Sequence, residues 1–158
     1  MEKVSITNEL VCLIPEGFRP FTEDELDKFF VEKKGVGFAL RNEEKHAIIA
    51  VYALKMNFLV KHFADDHAMM TGSLNKIERS LTDNDFEFVE EFSEERFRKT
   101  LYGFRYRYVV DDIPHDAEYL LLKGIKYYYG IQYYSQSAFH EENAKSHEIF
   151  KDSLELGL

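Results

Sequence analysis

Aromatic and polar residues alternate strictly over 102–108, where tyrosine or phenylalanine occupies every second position and glycine or arginine lies between them. Successive side chains of a β-strand point to opposite faces, so this pattern predicts a strand with a buried aromatic face. Arg105 and Arg107 then share its outer face. The three phenylalanines of 86–92 predict a preceding strand with one aromatic face, joined to the next strand by a turn over 93–99.

A tyrosine-rich hairpin organises the rest of the predicted sheet. Its first strand is the short apolar run 117–122, its second is the tyrosine-rich run 125–134, and Lys123-Gly124 lies between them. Aromatic and β-branched side chains pack well on a pleated surface, so we place this hairpin at the centre of the sheet. A turn over 111–116 precedes it.

Further elements are predicted by apolar periodicity and by turn residues. Strands are predicted over 4–6, 9–14, 36–41 and 46–56, and helices over about 23–30, 65–81 and 138–156. Thr22 and Glu25 form a capping box at the start of the first helix, and Ser137 is predicted to cap the last. Residues 57–64 fit either an irregular connection or the start of a helix.

The predicted order of elements is ββαββαββββα. Short turns join consecutive strands, which therefore pair antiparallel. The strand 46–56 is apolar on both faces, as expected for a strand covered on both sides. The sequence thus predicts one domain over 1–158 with an α+β fold. We expect an α/β/α sandwich in which one central antiparallel sheet has helices on both faces.

The composition is that of a globular domain with a formal net charge of −9. This acidic balance argues against nucleic acids and anionic membranes as partners, because both attract basic surfaces. Cys12 is the only cysteine and lies in an apolar run, so we interpret it as a core residue. Without a disulfide, a secretory signal pattern or a long apolar window, we expect no membrane span and a cytoplasmic location.

Two candidate polar sites stand out. His62, Asp66 and His67 would lie close together on a helix and form a candidate metal site, with a solvated helix start as the alternative. Arg105 and Arg107 either pair with Glu87, Glu91 or Glu118 on neighbouring strands or offer a surface to an acidic partner. His147 lies on the apolar stripe of the last helix and is interpreted as a hydrogen-bonded core histidine.

The turn Ile14-Pro15-Glu16-Gly17-Phe18 leads into a short helix, and the Lys123-Gly124…Tyr128-Tyr129 hairpin precedes a terminal helix. With the order of elements, these features resemble the PsbP-like (PsbP/Mog-type) family, in particular its uncharacterised bacterial branch. The resemblance implies an α/β/α sandwich that serves as a binding or assembly module. It implies no catalytic residues and no cofactor.

No complete catalytic or nucleotide-binding motif is present in the sequence. The leading hypothesis is therefore a soluble, non-enzymatic protein-binding or assembly module. Its candidate contact residues for an unknown protein partner are Arg105, Arg107, Tyr128, Gln132 and Tyr134. Exposed edge strands would also permit a homodimer. The alternative hypothesis is a domain that binds a small ligand or lipid in a Tyr- and Phe-lined cleft between sheet and helix.

Overall fold

A computed structural model describes residues 1–32 and 34–157, so residues 33 and 158 of the predicted domain lie outside the described part. The strands are β1 (Lys3–Ser5), β2 (Leu10–Leu13), β3 (Arg19–Pro20), β4 (Val36–Asn42), β5 (Ala47–Lys55), β6 (Glu87–Arg96), β7 (Lys99–Val110), β8 (Ile113–Lys123), β9 (Tyr127–Gln136) and β10 (Glu155–Leu156). The α-helices are α1 (Glu23–Phe29), α2 (Phe58–Phe63), α3 (Asp66–Ser80) and α4 (His140–Ser153).

A seven-stranded antiparallel sheet forms the centre of the molecule, in the order β3-β4-β5-β9-β8-β7-β6. The tyrosine-rich strand β9 is its middle strand, as the sequence predicts. On one face, Phe150 and Leu154 of the α4 region pack on Ile49, Leu120 and other apolar side chains of the sheet. We call this the α4 face. The opposite face, the α3 face, is covered by α3 and α1. The predicted α/β/α arrangement is confirmed.

A second, three-stranded sheet packs on the α4 face, in the order β1-β2-β10. It brings the fully buried Leu10 and Cys12 into the core together with Phe150. The last helix is shorter than predicted because the chain turns extended at Leu154 and Leu156 pairs with Leu10 in this sheet.

The predicted Ser137 cap is wrong. Ser137 lies in a 3₁₀ turn (Ser137–Phe139) that precedes α4, and its buried hydroxyl has no hydrogen-bond partner among the described residues. The helix begins at His140 without a side-chain cap. By contrast, the capping box of Thr22 and Glu25 is present at the start of α1.

Strand β6 contains a β-bulge between Phe88 and Glu90, so the side chains after the bulge lie on the opposite face from the predicted one. Before the bulge Phe88 lies opposite Tyr106 on the α3 face, whereas after it Phe92 lies opposite Gly103. Phe92 therefore packs on the α4 face, since the extra residue reverses the alternation. The prediction that the three phenylalanines of 86–92 share one face is therefore wrong.

The hairpin turns are shorter than predicted. Two-residue turns at Phe97-Arg98 and at Asp111-Asp112 replace the longer turns over 93–99 and 111–116. All four residues have positive φ, between 51° and 63°. Such turns match the right-handed twist of the strands, so the paired strands extend directly up to the two turn residues.

Candidate functional site

A cleft with a volume of about 830 Å³ lies on the α3 face of the central sheet. Strands β5, β9 and β8 form its floor. The end of α1 with the residues up to Glu32 forms one wall, and α3 forms the other. The lining is mainly aromatic and aliphatic, which is the usual character of a small-molecule site.

A glycine in the sheet shapes the α1 wall. Phe30 stacks on Tyr52 with ring centroids 5.5 Å apart and an interplanar angle of 20°. It lies directly over Gly37 of β4, where a Cβ atom would come within 2.5 Å of its ring. Phe29 meets Tyr134 edge-on at 6.0 Å. The wall thus presents two phenylalanine rings to the cleft.

A second glycine shapes the floor. A Cβ atom on Gly130 of β9 would lie 2.8 Å from the hydroxyl and 2.9 Å from the ring of Tyr119 on β8. The Tyr119 ring therefore lies down against the sheet instead of standing up into the cleft. Ser73 of α3 donates a hydrogen bond to the Tyr119 hydroxyl at 3.1 Å, which ties the floor to the second wall.

Phenol groups provide most of the polar atoms on the floor. The Tyr134 hydroxyl donates to the side-chain oxygen of Gln132. Burial raises the pKa of Tyr134 to about 12 and also raises the pKa values of Tyr108, Tyr119 and Tyr128. These phenols therefore stay protonated and neutral at physiological pH.

Charged groups at the rim of the cleft are paired within the chain. Arg41 bonds Glu25 at 2.8 Å and lies over the ring of Phe21, and Glu43 bonds Arg19. Lys76 of α3 pairs with Glu32 at 3.5 Å and so links the two walls across the mouth. A bound molecule would therefore meet a lining that is close to neutral overall.

The predicted contact residues fall on two different faces. Tyr128, Gln132 and Tyr134 line the cleft. Arg105 and Arg107 lie on the α4 face, where their Nε atoms donate to Glu118 and Asp116, each at 3.0 Å. The structure therefore does not bring the five residues together.

The arginine partners differ in part from those considered in the sequence. Arg105 also pairs with Glu90, and Arg107 approaches Glu87. The bulge in β6 turns Glu91 to the α3 face, where it contacts His67 instead.

The candidate metal ligands lie on two helices. His62 is on α2 and packs on the ring of Phe58 at 4.6 Å, while Asp66 and His67 open α3. His67 contacts Glu91 and meets Tyr102 edge-on. Over residues 1–32 and 34–157, no group of three or more His, Cys, Asp or Glu side chains is arranged to hold a metal ion.

A buried charge cluster on the α4 face was not predicted. Glu118 accepts hydrogen bonds from Lys151 at 2.8 Å and from His147 at 2.9 Å, and its other oxygen accepts from Arg105. Burial alone would raise the pKa of Glu118. The hydrogen bonds from His147 and Lys151 and the Lys151 charge outweigh burial and hold this pKa well below its usual range.

His147 is part of the same cluster. Burial lowers the pKa of its imidazole in spite of the neighbouring carboxylate, so the ring is neutral at physiological pH. Its second ring nitrogen, Nδ1, has no hydrogen-bond partner in the described structure. The prediction of a buried, hydrogen-bonded histidine agrees with this geometry.

No protein-family model and no curated protein matches the sequence. Solved structures do match. The solution structure of cyanobacterial PsbP from Synechocystis sp. PCC 6803 is similar to 98% of this chain and to 91% of that chain, with a TM-score of 0.69 and 9% identity. The chain has a PsbP-like fold. The resemblance stated from the sequence is thereby confirmed for the fold.

Two further solved structures are similar in fold to this chain. LpqN, described as involved in cell envelope biogenesis of Mycobacterium tuberculosis, has a TM-score of 0.64 at 6% identity and covers 99% of this chain and 91% of its own. A Bacteroides thetaiotaomicron protein has a TM-score of 0.63 at 11% identity, over 99% of this chain and 48% of that chain. Among the described residues, no helix has the length and hydrophobicity of a membrane-spanning helix.

Cleft residues that sequence reasoning missed lie at the C-terminal cap of α1, on α3 and on β8. Phe30, Ser73 and Tyr119 come from distant parts of the chain and meet only after the strands are in register. A usable signal was the pair Gly37 and Gly130, since a glycine inside a strand often marks a close approach by another group.

Proposed function

We propose that the protein is a non-enzymatic binding module that holds a small, neutral, largely apolar ligand in the cleft between the sheet, α1 and α3. The cleft itself carries this proposal. Its volume of about 830 Å³ falls within the range of ligand sites, which is roughly 300–1,000 Å³.

The lining indicates the class of ligand. Phe29 and Phe30 offer aromatic surfaces against which a planar ring could pack. The neutral phenols and the Gln132 amide can form a few hydrogen bonds with carbonyl or hydroxyl groups. A charged ligand would have to compete with the existing ion pairs at the rim, such as Arg41 with Glu25.

A binding role without catalysis is also part of the proposal. Ser73 is a hydroxyl that lines the cleft, and it donates to Tyr119 instead of to a histidine or carboxylate. The tyrosines with raised pKa values are poor proton acceptors at physiological pH. These features suit recognition of a ligand better than its chemical conversion.

The cleft favours ligand binding over the protein-binding or assembly role that the sequence analysis placed first. Arg105 and Arg107 are engaged within the chain, and Tyr128 and Tyr134 face a concave surface. The edges of the central sheet also discourage pairing with a second copy, because β3 is short and contains Pro20 and β6 carries a bulge. The cytoplasmic location expected from the sequence remains part of the proposal, since a chain with one cysteine does not require an oxidising compartment.

Blocking the cleft tests the proposal. Ser73→Phe places a ring in the cleft, whereas Asn75→Phe places the same ring on the exposed side of α3. The neutral dye Nile red serves as the probe, followed by its fluorescence. We expect Ser73→Phe to weaken dye binding by about tenfold or more, a loss of about 1.4 kcal/mol, and Asn75→Phe to leave it unchanged.

Equal dye binding by both variants would contradict the proposal, provided that both unfold at the temperature of the unmodified protein. Native mass spectrometry of the purified protein provides a second readout. A small neutral molecule that is retained by the unmodified protein and by Asn75→Phe, but lost from Ser73→Phe, supports the proposal.

A further inference from the structure

The short helix α2 exposes an apolar surface. Phe58, Leu59 and Phe63 are 68%, 66% and 74% exposed. The helical period places these side chains on the outer side of α2 and turns Val60 and Ala64 towards the protein. The Phe58 and Phe63 rings lie 6.2 Å apart and the exposed His62 ring packs against both, so the three rings form one surface. Exposed clusters of this kind mark contact with an apolar phase or a partner.

Lysines lie at the same end of the central sheet as this helix. The helix α2 follows the C-terminal end of β5. At the same end of the sheet β8 also ends, and β4 and β9 begin. The lysines at this end are Lys34, Lys55, Lys61, Lys123 and Lys126. The backbone N–H of Met56 donates to the carbonyl of Lys126 at 2.9 Å, which fixes the start of the α2 segment beside the β8–β9 turn.

Acidic groups at the same end are largely occupied. Glu9 is buried and accepts hydrogen bonds from the backbone N–H groups of the β8–β9 turn. Glu32 pairs with Lys76, and Asp65 caps α3 through the N–H of Ala68. Asp65 and Asp66 keep their negative charges at the start of α3, and the five lysines outnumber these two carboxylates beside α2.

The turns at the opposite end of the sheet carry acidic side chains. The turns there carry Glu43, Glu44, Asp83, Asp85, Asp111 and Asp112. The lysines near α2 and these acidic turns thus lie at opposite ends of the strands, and the net charge of −9 does not describe the surface around α2. The argument against anionic membranes from net charge does not apply to this end.

We propose that α2 and its lysines form a docking surface for an anionic lipid bilayer. Phe58, Leu59 and Phe63 enter the boundary between headgroups and acyl chains, and the lysines contact the phosphate groups of the lipids. An apolar helix face combined with basic side chains suits such an interface. This inference is independent of the ligand proposed for the cleft.

Charge complementarity selects a bilayer over a second copy of the chain. A symmetric dimer through α2 would bring the lysines of both copies together, and like charges at an interface are unfavourable. An anionic bilayer instead attracts each lysine near its surface.

Vesicle binding tests the proposal. The chain contains no tryptophan, so Phe63→Trp supplies a single fluorescent reporter. Vesicles of phosphatidylcholine mixed with phosphatidylglycerol are expected to shift its emission to shorter wavelengths, and vesicles of phosphatidylcholine alone to have little effect. The shift should weaken as salt is added, because salt screens the lysines.

Sedimentation with the same vesicles compares matched variants. Two variants should each bind the anionic vesicles at least about tenfold more weakly than the unmodified protein. They are the double variant Phe58→Ser/Phe63→Ser and the triple variant Lys55→Glu/Lys61→Glu/Lys126→Glu. The control Val110→Ser/Ile113→Ser removes exposed apolar side chains at the acidic end and should bind as the unmodified protein does.

Two results would overturn the proposal. One is the absence of binding to the anionic vesicles, or binding that the Phe58→Ser/Phe63→Ser change leaves intact. The other is a dimer in solution that dissociates on that same change and does not bind vesicles, which would assign the surface to a second copy of the chain.

Discussion

Tyr119 lies flat against Gly130 on the neighbouring strand, and a single added methyl group at position 130 would stand 2.8 Å from its hydroxyl. This contact keeps the ring out of the cleft and aligns its hydroxyl with Ser73. The depth of the proposed binding site therefore depends on the missing side chain at one position of β9.

Gly130→Ala should push the Tyr119 ring into the cleft and strain its hydrogen bond to Ser73. We expect a loss of about 1–3 kcal/mol in the free energy of unfolding, as for overpacked cores, together with weaker Nile red binding. Denaturant unfolding and dye titration measure the two effects.

The matched control is Gly72→Ala on α3, where an added Cβ atom meets nothing within 4 Å. This change should stabilise the protein by up to about 1 kcal/mol, because alanine favours a helix more than glycine does. Equal effects of the two substitutions would contradict the packing argument at Gly130.

The Glu32–Lys76 ion pair across the mouth should control how quickly a ligand enters. Lys76→Glu sets two carboxylates against each other and should raise both the association and dissociation rates of Nile red in stopped-flow experiments. Because the pair is exposed, stability should change by less than about 1 kcal/mol. The double variant Glu32→Lys/Lys76→Glu should restore the original rates, and rates unchanged in Lys76→Glu would refute the role.

The cap of α1 should matter for the shape of the cleft. Thr22→Ala removes the side-chain oxygen that accepts from the N–H of Glu25, at a cost of about 0.5–2 kcal/mol. Since α1 ends at Phe29 and is followed directly by Phe30, the same change should weaken dye binding. Thr71→Ala on the exposed side of α3 is the control and should leave dye binding intact.

The buried cluster around Glu118 predicts how stability depends on pH. The folded-state pKa of Glu118 is depressed, so its contribution is complete above the ordinary pKa of about 4.3 and is lost as the pH falls below that value. Glu118→Gln should cost up to about 3–5 kcal/mol at pH 7, since it removes the most buried of the three carboxylates that contact Lys151, the other two being Glu94 and Glu148. The free energy of unfolding of this variant should also depend less on pH below about pH 4.3.

Urea unfolding between neutral and acidic pH measures this curve. The control Glu141→Gln changes an exposed carboxylate in the first turn of α4 and should leave the slope unaltered. A steep acid loss that persists in Glu118→Gln would show that other carboxylates are responsible.

His147 adds a separate step at higher pH. Its folded-state pKa is lowered, so its contribution is complete above the ordinary value of about 6.5 and declines as the pH falls below it. In the variant His147→Gln, the free energy of unfolding should therefore no longer decline just below about pH 6.5. The decline below about pH 4.3 that is due to Glu118 should remain.

Local patterns in the sequence were sufficient for most elements of the fold. The alternation over 102–108 and the capping box at Thr22 each depend on residues close in sequence, and both are present in the structure. The bulge beside Val89 could not be predicted, because an extra residue in one strand becomes evident only when the partner strand is in register.

The candidate site was predictable only in part. Tyr128 and Tyr134 are among the contact residues that the sequence predicts, yet the cleft exists because Phe30 and Tyr119 lie over the strand glycines Gly37 and Gly130. The buried position of Lys151 was not predicted at all. A lysine is normally at the surface, but this one is fully buried against Glu118. Both features depend on contacts between residues that are far apart in sequence.

Mapping amide chemical shifts during a Nile red titration tests the central proposal most directly. The account predicts that the largest shifts fall on Ser73, Gly130 and Gln132, which lie around the cleft. Shifts concentrated instead on Phe58 and Phe63 of α2, with the cleft residues unchanged, would contradict it.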